Sequence, residues 1–309
     1  MDEQDLESLV RGVLRDLLSR DEPSDGLAPR GASPGVAPAP DRGGPTPDQS
    51  EDDPAGLGAA DLYADDPQPL PGLAVPADPE GLARLRAATT ARIGVGRAGP
   101  RLPHRAWLRF RADHAAAMDA VFTDVSPEII AAAGLTPVQS AAPDKAAFLM
   151  DPDLGRAFDA ATAALIKQSC RSGAQVQVVV CDGLSSTAVE NNVPDLLPAL
   201  LQGLERHRLS VGTPLFVKYG RVRIMDEVTG LLDPEVTLNL IGERPGLVTN
   251  ASLSCYLTYR GRPGMAESGR TVLSNIYRDG TPPAEAGAYI ADLSLKLIQT
   301  KASGLDLKL

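Results

Sequence analysis

A chain of 309 residues with a hydrophobic fraction of 43% can bury the core of one or two domains, and it contains no apolar run long enough to span a bilayer. The start, MDEQDLESLV, has neither the basic nor the apolar region of a secretory signal, so a cytoplasmic protein is expected. The net charge of −10 excludes nothing about the ligand of the folded part, because residues 21–79 hold twelve acids and two bases and carry the whole excess.

Residues 1–20 place Leu6, Leu9, Val10, Val13, Leu14, Leu17 and Leu18 at i, i+3, i+4, i+7 spacing, which predicts an amphipathic leader helix. So short a helix is marginal in water and needs a surface for its leucines. The next segment, 21–79, holds 13 of the chain's 27 prolines and few large apolar residues, and is expected to be a disordered linker. The leader is thereby tethered, free to meet a separate partner or to dock on its own domain.

Residues 80–150 are expected to form an arginine-rich helical arm. Between 81 and 112 the sequence has Arg84, Arg86, Arg92, Arg97, Arg101, Arg105, Arg109 and Arg111 and no acid. Lysine is absent, the aromatics are only Trp107 and Phe110, and no nucleic-acid motif occurs, so no nucleic-acid partner is expected. An arginine surface for carboxylates of a partner subunit fits better. Inside the arm, IGVGRAGP contains G-x-G-x-x-G at Gly94, Gly96 and Gly99. A dinucleotide fingerprint needs a strand running into the first glycine and a helix opening at the last. Here Pro100 and Pro103 delay the helix to about Ala106, and ARLRAATTAR upstream lacks the apolar run of a buried strand, so the motif reads as a rigid arm.

Helices are predicted over Arg105–Val121, Pro127–Ala133 and Asp153–Cys170, and then strand and helix alternate. VQVVVC (176–181), PLFVKYG (214–220), VTLNLIG (236–242) and LSCYLTY (253–259) read as strands. Helices are predicted near Pro194–Arg206 and over Ala284–Thr300. The alternation predicts, for residues 151–309, an α/β domain with a mainly parallel sheet and flanking helices, Rossmann-like in outline. Ligands of such sheets bind beyond the carboxyl ends of the strands.

The candidate chemistry is sparse. Cys170, Cys181 and Cys255 are widely spaced and read as buried reduced thiols, and no metal site is expected. Ser185 and Ser186 lack the G-x-S-x-G elbow of a nucleophile. Asp182 reads as a helix-start or turn residue. Glu243 beside Arg244 is the best candidate for placed polar chemistry, with a surface ion pair as its bland alternative. No catalytic residue is assigned.

Several motifs occur together and in order: RIGVGRAGPR, LRFRADHA, VQVVVCDGLSS, VGTPLFVKYGRVRI, IGERPGL followed by SLSCY, then SNI and GTPPAEA. From about residue 85 to the C-terminus the chain closely resembles the small subunit of ethanolamine ammonia-lyase. The resemblance implies an adenosylcobalamin-dependent lyase that converts ethanolamine to acetaldehyde and ammonia. It further implies a TIM-barrel large subunit as partner, a higher hetero-oligomer, and no activity for this chain alone. Among the family's cobalamin contacts, the valine of YGRV falls on Val222 and the glutamate of GERPG on Glu243. A third lies in a segment that reads RTVLSN here, so Val272 stands where relatives can have cysteine. The family often works inside a bacterial microcompartment, and residues 1–20 resemble an encapsulation signal for its shell. Two alternatives stand beside it: a noncatalytic cobalamin-binding or assembly protein of the same fold, and the nicotinamide oxidoreductase that the glycines suggest.

Overall fold

The structure, a computed structural model, describes residues 72, 73 and 75–308. The leader helix expected over 1–20 and most of the 21–79 linker lie outside the described residues. Helix α1 (Pro79–Ala87) starts where Asp78 accepts from the Gly81 amide at 2.8 Å and Pro79 takes the first helical position. It is followed by the glycine-rich segment, α2 (His104–Phe122) and α3 (Pro127–Ala132), the last capped by Ser126. The remaining elements are β1 (Thr136–Gln139), α4 (Lys145–Met150), α5 (Ala160–Ser169), β2 (Val176–Cys181), α6 (Ser186–Arg206), β3 (Leu215–Lys218), α7 (Ile224–Leu232), β4 (Val236–Gly242), β5 (Leu253–Tyr259), β6 (Thr271–Ile276) and α8 (Pro283–Thr300).

The chain is an α/β fold around one six-stranded sheet of order β1-β3-β2-β4-β5-β6. The sheet is mixed. β1, β3, β2 and β4 run parallel, whereas β4–β5 and β5–β6 pair antiparallel. The expectation of a mainly parallel, Rossmann-like sheet therefore describes only the β1-β3-β2-β4 part. The cause is the connection after β4: it holds no helix to carry the chain back across the sheet, so β5 returns alongside β4. β1 also starts the sheet at Thr136, inside the segment expected to be the arm and ahead of residue 151. TPVQ carries Pro137 and sits on the sheet edge, where a missing N–H is tolerated, and it gives no alternation to read.

Side-chain alternation divides the core in two. One face of the sheet, with Val176, Val178, Val180, Leu238, Leu240, Cys255 and Leu257, is covered by α6 and α8. The other, with Val179, Cys181, Leu215, Val217 and Ile241, is covered by Ile166 of α5 and Ile224, Val228 and Leu232 of α7. Helix α6 begins at Ser186, not near Pro194: Ser185 Oγ accepts from the Ala188 amide at 3.0 Å and caps it. Pro194 and Pro198 lie within it, at a cost of about 3 kcal/mol each. Seven apolar residues, Ala188, Val189, Val193, Leu196, Leu197, Leu200 and Leu204, are buried along the helix. At about 1.5–3 kcal/mol for each large side chain, that stripe outweighs the two prolines. The predicted helix at 153–170 is broken: a short turn at Leu154–Arg156 precedes α5, whose cap is Asp159.

Arg270, 1% exposed at its side chain, donates to Asp226 through both terminal nitrogens at 2.8 and 2.7 Å and to Glu267 through Nε at 2.8 Å. This bidentate pair ties the start of β6 to the first turn of α7. Burial works against the Arg270 charge, but the hydrogen bonds and negative charges of Asp226 and Glu267 prevail and raise its pKa. Cys170, Cys181 and Cys255 are free thiols and buried.

Candidate functional site

β2 and β3 are neighbours, yet β2 leads into α6 on one face and β3 into α7 on the other. The crevice at their carboxyl ends is thus a switch point, the usual place for a ligand in such sheets. Three loops meet at this end: residues 182–185 after β2, 219–223 after β3, and 243–252 after β4.

Asp182, 1% exposed, accepts from the Gly220 amide at 3.2 Å and lies 3.9 Å from Lys145 Nζ. Burial raises its pKa to about 6 against the opposing pull of backbone amides and Lys145. Tyr219 (φ +59°) adopts a left-handed backbone, and Lys145 and Lys218 stand 5.0 and 4.9 Å from its ring centroid. Lys218 is 2.7 Å from Asp124. Asp182 is thus more than a turn residue: it is a buried carboxylate inside a charged cluster. Ser185 and Ser186 are both engaged structurally. Ser185 Oγ donates to the Asn250 carbonyl at 2.6 Å, and Ser186 Oγ lies 2.7 Å from Thr123 Oγ1.

Val222, Glu243 and Val272 come from three different elements, and one pair of residues links them. Asn239 on β4 donates from Nδ2 to the Val222 carbonyl at 3.2 Å. Asn239 pairs in register with Tyr256 on β5, and Tyr256 pairs with Val272 on β6. The Tyr256 hydroxyl donates to Glu243 Oε1 at 3.2 Å. Strand alternation places Asn239, Tyr256 and Val272 on the same sheet face, where Val222 and Tyr256 pack against the α5–α7 core. Burial, and then the Glu243 charge, push the Tyr256 phenol up to about 12, so it stays a neutral donor at physiological pH. Val272 is 44% exposed. No ion pair joins Glu243 to Arg244 among the described residues; the carboxylate is held by Tyr256 instead.

Sequence reasoning missed Asn239 and Tyr256. Both sit inside correctly predicted strands, and their polarity is a weak signal because Thr237, Ser254 and Thr258 interrupt the same runs, VTLNLIG and LSCYLTY.

The glycine-rich segment is not a dinucleotide loop. Gly94, Gly96 and Gly99 all have positive φ, the chain turns back on itself through an Ala98–Arg101 bridge, and among the described residues no strand precedes the first glycine. Arg86 donates to the carbonyls of Ile93 and Gly94, and Leu73 lies against the same segment through its amide. Arg92 Nη2 donates to Asp113 at 2.6 Å and to the Leu247 carbonyl at 2.7 Å, joining the arm to the loop that carries Glu243. Arg109 also pairs with Asp113, at 2.8 Å. Arg86, Arg92 and Arg109 are therefore used within this chain, while Arg97, Arg101 and Arg105 remain exposed.

A family model described as "Ethanolamine ammonia-lyase light chain (EutC)" matches residues 79–308. The ethanolamine ammonia-lyase small subunit of Clostridium tetani is 52% identical over 234 residues, covering 76% of this chain and 79% of that protein. The protein of the same name from Fusobacterium nucleatum subsp. nucleatum is 50% identical over 230 residues, covering 74% and 78%. That from Clostridium perfringens is 49% identical over 233 residues, covering 75% and 79%. The chain belongs to the ethanolamine ammonia-lyase small-subunit family and is thus a subunit of a lyase.

Proposed function

We propose that this chain, assembled with the family's large subunit, binds adenosylcobalamin at their interface and helps to convert ethanolamine to acetaldehyde and ammonia. What supports the reading is the linkage of Val222, Glu243 and Val272 through Asn239 and Tyr256. Cobalamin is fringed by primary amides and carries apolar ring surface between them. The residues fit such a group. Glu243 offers a carboxylate to amide N–H donors, and Val272 offers exposed apolar surface. The same face also buries Asn239 Oδ1 and Ser254 Oγ without hydrogen-bond partners.

When bound, adenosylcobalamin supplies the homolysable cobalt–carbon bond on which the radical chemistry depends. This chain's residues do the holding. Glu243 would accept from an amide of the fringe while Tyr256 occupies its Oε1. Val222 and Val272 would offer apolar surface to the bound group and keep water from it. The substrate is held by the large subunit, and the chain acts only within the hetero-oligomer. The test is Glu243→Ala in the co-expressed complex. Cyanocobalamin binding, followed by absorbance after gel filtration, is expected to weaken about tenfold. Unchanged affinity removes Glu243 from the site.

We also propose that residues 1–20 direct the complex into a microcompartment in the cytoplasm and are dispensable for turnover. Deleting them should leave activity intact and abolish co-sedimentation with shells; lost activity in an assembled complex contradicts this.

A further inference from the structure

We propose that Tyr256 is a positioning residue of the cobalamin site, orienting the Glu243 carboxylate through its hydroxyl while its ring bridges the strands that carry Asn239 and Val272. This rests on the reading of Glu243 as a cofactor contact. The side chain of Glu243 projects from the end of β4 beside the start of an irregular loop, and its own backbone is fixed by one hydrogen bond, from its amide to the Ser252 carbonyl at 3.0 Å. A glutamate in that place has three free torsions, and a contact to one amide of a ligand leaves most of them unfixed. The Tyr256 hydroxyl, 3.2 Å from Oε1, occupies one oxygen and leaves Oε2 for a second donor.

The tyrosine is itself well anchored. Its backbone lies mid-strand between β4 and β6, and its ring packs against the core that also holds Val222. The register irregularity between β5 and β6 lies on β6, since Leu253 pairs with Ile276 and Cys255 with Leu273, and Tyr256 keeps its register with both Asn239 and Val272. The charged groups that act on the phenol are Glu243, Glu267 and Arg270. Arg270 and Glu267 are already paired with each other at 2.8 Å, which leaves Glu243 as the acceptor of the phenol proton.

The experiment is a double-mutant cycle on the co-expressed complex, read as the dissociation constant for cyanocobalamin. Tyr256→Phe keeps the ring and its packing and should leave the melting temperature within a degree or two. It is expected to weaken cyanocobalamin binding about five- to tenfold. In the Glu243→Ala background the same change should add less than twofold, because the group it orients is gone. If Glu243→Ala weakens binding and Tyr256→Phe does not, the positioning role is wrong while the cofactor reading stands. If the two effects multiply, Tyr256 acts independently of Glu243 and the proposal fails. If Glu243→Ala leaves binding unchanged, both the cofactor contact and the role of Tyr256 fall.

Discussion

Gly183 and Gly242 meet backbone to backbone at the carboxyl ends of β2 and β4. The Gly242 carbonyl accepts from the Leu184 amide at 3.0 Å, and a Cβ at Gly183, where φ is +56°, would stand 2.3 Å from that same oxygen. A Cβ at Gly242 would stand 2.1 Å from the Ser185 carbonyl and 2.5 Å from that of Asp182. The contacts are backbone, which cannot rotate aside as a side chain can. Gly242→Ala should therefore cost about 2–4 kcal/mol by denaturant unfolding and weaken cobalamin binding through its neighbour Glu243. Unchanged stability would show that the two loops separate more easily than their packing indicates.

Arg92 couples the arm to the Glu243 loop through one guanidinium nitrogen shared by Asp113 and the Leu247 carbonyl. Arg92→Ala should speed hydrogen exchange at the amides of Glu243 and Gly246, which close this loop onto Ser252 and Thr249. Amides of β2 should be unaffected. Arg92→Lys should not restore protection, since an ammonium does not reproduce the planar fork.

The Arg270–Asp226 pair is buried on both sides, at 1% and 4% side-chain exposure. Asp226→Ala strips the buried guanidinium of its bidentate partner, leaving only Glu267 at Nε, and should destabilise by about 3–5 kcal/mol. The double change Asp226→Leu with Arg270→Met should recover much of that loss, and failure to recover would assign the pair a role beyond charge compensation.

Asp182 makes stability depend on pH in an unusual sense. Its folded pKa of about 6 stands above the unfolded carboxylate, so between roughly pH 4 and 6 the native chain binds the extra proton. Stability from this group is present at the acid end of that window and declines as pH rises through it, by about 2–3 kcal/mol in all. Lys145, Lys218 and Asp124 border the site, and Lys145 limits the rise. Asp182→Asn keeps an acceptor for the Gly220 amide and removes the titration. The difference in unfolding free energy between wild type and variant should change across pH 4–6, and a constant difference would contradict the assignment.

Much of this fold is legible in the sequence, and the parts that are not have physical causes. β2, β4 and β5 match their predicted spans because each is a run of six or seven residues dominated by apolar and β-favouring side chains. β6 reads TVLSNI, half-exposed and only six residues long, and shows itself only once β5 is there to pair with it. Pro194 looked like a helix start because proline favours first turns, but the cap at Ser185 and the stripe beginning at Ala188 decide the matter. Within the site, Val222 and Val272 were reached through resemblance alone and Glu243 also as a candidate for placed polar chemistry, and their connection was invisible along the chain. Tyr256 touches Glu243 thirteen residues earlier and faces Val272 sixteen residues later only because β4, β5 and β6 form a meander.

The most direct test of the account is acetaldehyde formation from ethanolamine, with and without adenosylcobalamin, by this chain alone and co-expressed with a family large subunit. Activity confined to the co-expressed, cofactor-supplied sample is the predicted result. Turnover by this chain alone or without the cofactor, or none from a stable complex supplied with both, would contradict it.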